Sequence, residues 1–194
     1  MGSSRAARLG CLALMSCALG ALVALPAHAW VATIGDGGLA AIKLVQDGNV
    51  VAAAGLGAGS DSHWLTEKLA GATGTVLWRQ EFPPTGYRYS VPLDLDVTAD
   101  GDLVTAGPFA EGIMEVRRFS GATGSLLCQT VPTTAFWIED VVIDPSGDVF
   151  VAGRAGDRYP IWDLAVVKID GTTGTELWTR VLRGPGDSSA EDLA

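Results

Sequence analysis

The stretch Val167-Lys-Ile-Asp-Gly-Thr-Thr-Gly-Thr-Glu-Leu-Trp178 has two counterparts upstream, Arg117-Arg-Phe-Ser-Gly-Ala-Thr-Gly-Ser-Leu-Leu-Cys128 and Glu67-Lys-Leu-Ala-Gly-Ala-Thr-Gly-Thr-Val-Leu-Trp78. The Thr-Gly pairs fall at Thr73-Gly74, Thr123-Gly124 and Thr173-Gly174, a spacing of 50 residues both times. A second phrase recurs between them: Asp47-Gly-Asn-Val-Val-Ala-Ala-Ala-Gly55, Asp100-Gly-Asp-Leu-Val-Thr-Ala-Gly107 and Ser146-Gly-Asp-Val-Phe-Val-Ala-Gly153. Both phrases put glycine where a tight turn needs positive φ, beside short apolar runs of strand character. Two motifs repeating three times in register make the period one supersecondary unit.

Each unit reads as four strands. In the third, Glu139 to Asp144 is a short apolar strand and Asp144-Pro-Ser-Gly147 a turn, with proline presetting φ and glycine supplying the positive value. Asp148 to Ala152 forms the next strand, ended by Gly153; a looser loop from Arg154 to Trp162 leads to Leu164–Asp170. Gly171-Thr-Thr-Gly174 makes a second hairpin into Thr175–Leu182. No window after residue 29 shows a 3.6-residue apolar period long enough for a helix. The fold class is therefore all-β, built from four-stranded antiparallel units of the size of a propeller blade. Continuous apolar runs such as Val141-Val142-Ile143 suit sheets covered on both faces. An immunoglobulin-like sandwich is the rival architecture, but it gives no reason for identical turns 50 residues apart.

The units divide as 30–88, 89–133 and 134–188, about three blades, whereas a closed ring needs four to eight. Ser189-Ala-Glu-Asp-Leu-Ala194 matches Trp137-Ile-Glu-Asp-Val-Val142, so 189–194 reads as the start of a further blade. The expectation is an incomplete ring: a fragment of a longer propeller, or a chain whose copies assemble into one. Uncovered blade faces then serve self-association or protein partners.

The first 29 residues read as a leader. Arg5 and Arg8 precede an apolar run from Leu9 to Leu25, and Ala27-His28-Ala29 offers the small-x-small site of a signal peptidase. Cleavage after Ala29 leaves 165 residues starting at Trp30; losing both arginines takes the net charge from −9 to −11. The run is just long enough for an uncleaved anchor, and Leu14-Met15-Ser16-Cys17 has some character of a lipoprotein box. The expected location is secreted or periplasmic. No later segment carries 18 consecutive apolar residues, so no membrane span is expected after cleavage. Cys128 is the one cysteine after residue 29, and it has no partner for an internal disulfide.

An acidic chain of pI near 4.5 argues against nucleic acid as a partner, because phosphate binding draws on clustered Lys and Arg. Catalytic groups are sparse. His63, in Gly59-Ser-Asp-Ser-His63, reads as a solvated loop or strand-edge histidine, since adjacent serine and aspartate side chains point apart. Asp94, Asp96, Asp100 and Asp102 form the densest carboxylate group and a weak Ca²⁺ candidate without a closing glutamate. Gly55-Leu-Gly57-Ala-Gly59 has no following helix and fails as a phosphate loop.

Lys168-Ile-Asp170-Gly-Thr-Thr173-Gly174-Thr-Glu-Leu-Trp178 resembles the tryptophan-docking repeat of pyrroloquinoline-quinone-type propellers. Val142-Ile-Asp-Pro-Ser-Gly-Asp-Val-Phe-Val-Ala-Gly153 and Asp163-Leu-Ala-Val-Val-Lys-Ile-Asp170 resemble a secreted bacterial β-propeller repeat, and the likeness runs from Leu39 to Ala194. It departs at Ala70, Ser120 and Cys128, which stand where the motif has Asp, Asp and Trp. The resemblance implies structural roles: Trp78 and Trp178 lie over the Gly-containing turn of the next blade, and Cys128 is a small buried thiol in a weaker joint. Because the identifiable residues of the repeat all serve turns and packing, the expected function is a non-catalytic scaffold or interaction module with no cofactor. Its alternatives are a piece of a quinone-dependent dehydrogenase with Ca²⁺ and quinone, or an outer-membrane assembly scaffold. Expression in a host with an export pathway tests the leader: terminal sequencing of the exported chain should begin at Trp30, and a chain beginning at Met1 would refute cleavage.

Overall fold

Twelve strands run in three antiparallel meanders in a computed structural model that describes residues 38–57, 62–83, 90–110, 113–134, 136–156 and 162–183. The leader with Ala27 and Ala29, and the stretch 189–194, lie outside the described residues. Blade 1 holds β1 (Gly38–Leu44), β2 (Val50–Leu56), β3 (His63–Leu69) and β4 (Val76–Phe82). Blade 2 holds β5 (Asp94–Val97), β6 (Leu103–Ala110), β7 (Ile113–Phe119) and β8 (Leu126–Thr130). Blade 3 holds β9 (Phe136–Ile143), β10 (Val149–Ala155), β11 (Asp163–Ile169) and β12 (Glu176–Leu182). Each sheet is ordered sequentially, with every neighbour antiparallel. The architecture is thus three propeller-like blades, and three separate sheets replace the two stacked layers of a sandwich.

The two repeated phrases meet inside each blade. Gly71, Gly121 and Gly171 open the second hairpin turn, and a Cβ at each would lie 1.7, 1.6 and 1.6 Å from the carbonyl oxygen of Gly48, Gly101 and Gly147 in the first. Only glycine admits that approach of two backbones. Asn49, Asp102 and Asp148 then accept a hydrogen bond from the same three glycine N–H groups at 3.1, 3.0 and 3.4 Å. The far glycines, Gly74, Gly124 and Gly174, sit at φ 70°, 73° and 72°. Each donates its N–H four residues back, to Ala70, Ser120 or Asp170, at 2.7–2.9 Å. The Thr-Gly turn is therefore an α-turn with a left-handed glycine.

The expected strand end at Gly153 is corrected, because β10 continues through it to Ala155. A bulge in β9 brings its backbone close there, and a Cβ on Gly153 would stand 1.9 Å from the Trp137 carbonyl oxygen. Glycine marks a bulge in a strand and not its end.

The core lies between blades. Val51, Ala53 and Trp78 of blade 1 meet Leu95, Leu103 and Phe119 of blade 2. Val104, Ala106, Met114 and Val116 of blade 2 meet Val141, Val149, Val151 and Val167 of blade 3. Alternate residues along β6 thus face opposite neighbours, as the two-residue pleat requires. Arg117 is buried in the first joint: 2 % exposed, it lies 4.0–4.8 Å from the ring centres of Phe109, Phe82 and Trp64 and 2.6 Å from Glu115. A guanidinium is tolerated in that setting because aromatic faces and one carboxylate replace water around it.

Two substitutions check this account. Gly121→Ala should lower unfolding free energy by about 3 kcal/mol, since its methyl has only backbone to displace. Arg117→Met should cost about 3–5 kcal/mol, because it leaves Glu115 buried without a cation. Denaturant unfolding measures both, and losses under about 1 kcal/mol would refute the two close contacts.

Candidate functional site

The residues that recur in all three blades converge on the joints. At the first joint the Trp78 Nε1–H donates to the Gly121 carbonyl at 3.1 Å, and Lys68 Nζ donates to the same oxygen at 3.0 Å. The indole lies flat enough on the turn that a Cβ at Gly124 would come 2.6 Å from the ring. Asp47 holds the Lys68 ammonium at 2.8 Å, and that hydrogen bond lowers the Asp47 carboxyl to about 2.

The second joint keeps the position and changes the chemistry. Cys128 replaces the indole, and its Sγ stands 4.0 Å from the Gly171 carbonyl. Arg118, three residues before Gly121 as Lys68 is before Gly71, donates Nη1 to that carbonyl at 2.5 Å and Nη2 to Asp102 at 3.1 Å. Thr130 adds a bond to the Gly174 carbonyl at 2.5 Å. Burial pushes the Cys128 thiol upward, away from the thiolate. The longer forked cation makes the contact that the missing indole would make.

At the third blade the same pair has no receiving turn among the described residues. Lys168 pairs with Asp148 at 2.8 Å and lies 5.0 Å from the Phe150 ring. Trp178 meets that ring edge-on at 5.9 Å and stays 37 % exposed, against 8 % for Trp78. Asp170 caps its own turn, accepting from the backbone N–H and the hydroxyl of Thr173 at 2.7 and 2.9 Å. Those bonds hold its carboxyl below the ordinary range.

Asp94, Asp96, Asp100 and Asp102 do not converge. Asp94 and Asp96 accept from the backbone N–H groups of Val141 and Ile143 at 3.1 and 2.8 Å, fastening β5 to β9. Asp96 also pairs with Lys43 of β1 at 3.0 Å, so one carboxylate touches all three blades. Asp102 serves Gly121 and Arg118, and Asp100 accepts from the Thr98 hydroxyl. Among the described residues no group of three or more His, Cys, Asp or Glu side chains comes together as metal ligands. The four acids of the weak Ca²⁺ candidate are directed to separate partners: alternation along β5 turns Asp94 and Asp96 to a neighbouring strand, Asp100 faces its own turn, and Asp102 faces the Gly121 turn and Arg118. Burial, with the hydrogen bond that protonated Asp94 donates to the Asp140 carboxylate, raises Asp94 to about 6.

His63 is the first residue of β3 and half-buried, not a loop residue. Ser60 and Asp61 lie outside the described residues. The sequence did not single out Lys68, Arg118 and Lys168 as a set; their constant offset of three from the turn glycine is the signal that marks them.

No protein-family model matches the chain, and no curated protein matches it. Among solved structures, an ACO/RPE65 chimera in a monoclinic crystal form is 12 % identical at a TM-score of 0.50, over 75 % of this chain and 38 % of its own. BamB from Moraxella catarrhalis is 14 % identical over 69 % of this chain and 58 % of its own, at a TM-score of 0.23. The chain thus spans less than two thirds of either, and the likeness to the chimera is one of fold.

Trp78→Ala should cost about 3–5 kcal/mol, and Trp178→Ala about 1 kcal/mol or less, by denaturant unfolding. Equal losses would refute the difference between the joints. Stability should also rise as pH falls from 7.5 towards 5. Asp94, raised in the fold, favours the folded state most fully below its unfolded value of 3.8 and loses that effect as pH climbs through about 6. Below about 4 the trend reverses, because Asp47 is lowered and its contribution fades as it protonates. Asp94→Asn should flatten the upper arm; an unchanged profile would refute its assignment to Asp94.

Proposed function

We propose that the chain is a non-catalytic β-propeller scaffold or interaction module of the tryptophan-docking, quinone-type class, exported to the periplasm or beyond. One observation carries this reading: the polar side chains at the joints address backbone groups of the neighbouring blades. Lys68, Trp78 and Arg118 address turn carbonyls, and Asp94 and Asp96 address strand N–H groups. Groups used in this way hold blades at fixed spacing and orient their edges, which is the property a binding platform needs. Export is supported by Arg5, Arg8, the Leu9–Leu25 run and the Ala27-His-Ala29 site.

Two experiments separate this from the dehydrogenase reading. Immobilised protein exposed to envelope extract should retain a defined partner that Leu77→Glu and Leu127→Glu, on exposed outer-strand positions, do not unfold the bait to release. Dye reduction should stay at background when pyrroloquinoline quinone and Ca²⁺ are supplied with alcohol or sugar substrates. Turnover would overturn the scaffold reading.

A further inference from the structure

β9 is the edge strand of its sheet, so alternate N–H groups along it point out of the ladder. Two of them, on Val141 and Ile143, are taken by carboxylates of β5 in blade 2. The two fastenings are not alike. Asp96 accepts from Ile143 at 2.8 Å and also holds the Lys43 ammonium at 3.0 Å. Asp94 shares its donor: its Oδ2 accepts from the Val141 N–H at 3.1 Å, while Asp140 Oδ1, from β9 itself, accepts from the same N–H at 2.9 Å. One donor between two carboxyl groups sets those groups against each other. Asp94 has no ion pair among the described residues.

The elements around Asp94 bring it no cation. β6, which puts Ala106 opposite Asp94, carries no titratable side chain, and neither does β2. β1 contributes Lys43, which sits on Asp96. β9 contributes Asp140 and Glu139, and Glu139 is held by Arg154 of β10 at 2.6 Å. On β7, Arg117 is paired with Glu115, and Arg118 serves Asp102 and the Gly171 carbonyl. The charged group that Asp94 meets is therefore one of its own sign.

We propose that Asp94 and Asp140 form a proton-operated latch between blades 2 and 3. With a proton on Asp94, taken from solvent, the carboxyl O–H donates to the Asp140 carboxylate and ties β5 to β9 beside the shared N–H. When that proton returns to solvent, two like charges compete for one donor, which neither can hold fully. The Val141 end of the fastening then loosens, while the Ile143 end, with its ammonium, holds. Burial lifts Asp94 to about 6, which places the change between mildly acidic and neutral surroundings. The sign follows from a raised carboxyl: the latch is closed below that value and opens as pH climbs through it. Acid thus alters the fit between two blades and leaves the blades themselves unchanged.

Amide hydrogen exchange of the purified chain, corrected for the intrinsic rate at each pH, reads the two fastenings separately. Val141 should be protected about 10-fold more at pH 5 than at pH 7.5, as a carboxyl lifted from 3.8 to about 6 requires, and Ile143 by less than about 2-fold. Asp94→Asn, which keeps a donor for Asp140 at every pH, should make Val141 protection equal at the two values. Carboxyl-carbon NMR should show Asp94 titrating near 6 in the wild type and lower in Asp140→Asn. Equal Val141 protection at both pH values in the wild type overturns the proposal, as do parallel changes at Val141 and Ile143, which report opening of the whole joint. An Asp94 titration that Asp140→Asn leaves in place overturns it too. The wild-type exchange and titration need no variant, so they decide the matter where Asp140→Asn fails to fold.

Discussion

A single backbone oxygen, the carbonyl of Gly121, takes hydrogen bonds from an indole and an ammonium at once, and the blade arrangement follows from that contact. A turn carbonyl has two lone pairs and no partner in its own hairpin, so leaving it dry between two sheets would be costly. Trp78 satisfies it and also lays about a ring's worth of apolar area over the turn. Lys68 satisfies it again and brings a charge, which Asp47 balances at 2.8 Å. The contact is therefore both directional and apolar, and it sets the spacing of the first two blades.

The second joint shows that the constraint belongs to the carbonyl and not to the tryptophan. With Cys128 in place of an indole, Arg118 reaches the Gly171 oxygen, and Thr130 reaches that of Gly174. Loss of the large ring is offset by a longer cation with more donors. The packing beneath also differs, with valines from blades 2 and 3 filling the space that Arg117 and its aromatic neighbours fill in the first joint. Repeats that diverge in sequence keep the same acceptor and exchange the donors.

Acidic residues in this chain act on structure through geometry more than through net charge. Asp94 is half-buried beside Asp140 and raised to about 6, while Asp47 is held near 2 by Lys68. The two sit in different joints and respond to pH in opposite senses. Grouping the carboxylates at 94, 96, 100 and 102 by their sequence spacing joins residues that the strand and turn direct to separate partners.

The repeat itself determined the all-β class, the four-strand unit and the identity of the turns, because glycine at positive φ and the close approach of Gly71, Gly121 and Gly171 to a second hairpin are local demands written in residue type. It also marked Trp78 as a joint residue. What only the tertiary structure decided is which groups meet across blades. The role of Arg118 at the Gly171 carbonyl, the use of Asp94 and Asp96 on β9 and the bond from Trp78 to Gly121 depend on contacts 43 to 53 residues apart in sequence, and the burial of Arg117 and the exposure of Trp178 on which blade faces are covered. Such contacts follow from how sheets stack, and no local pattern encodes the neighbour that a side chain meets once the sheet has turned it to one face or the other.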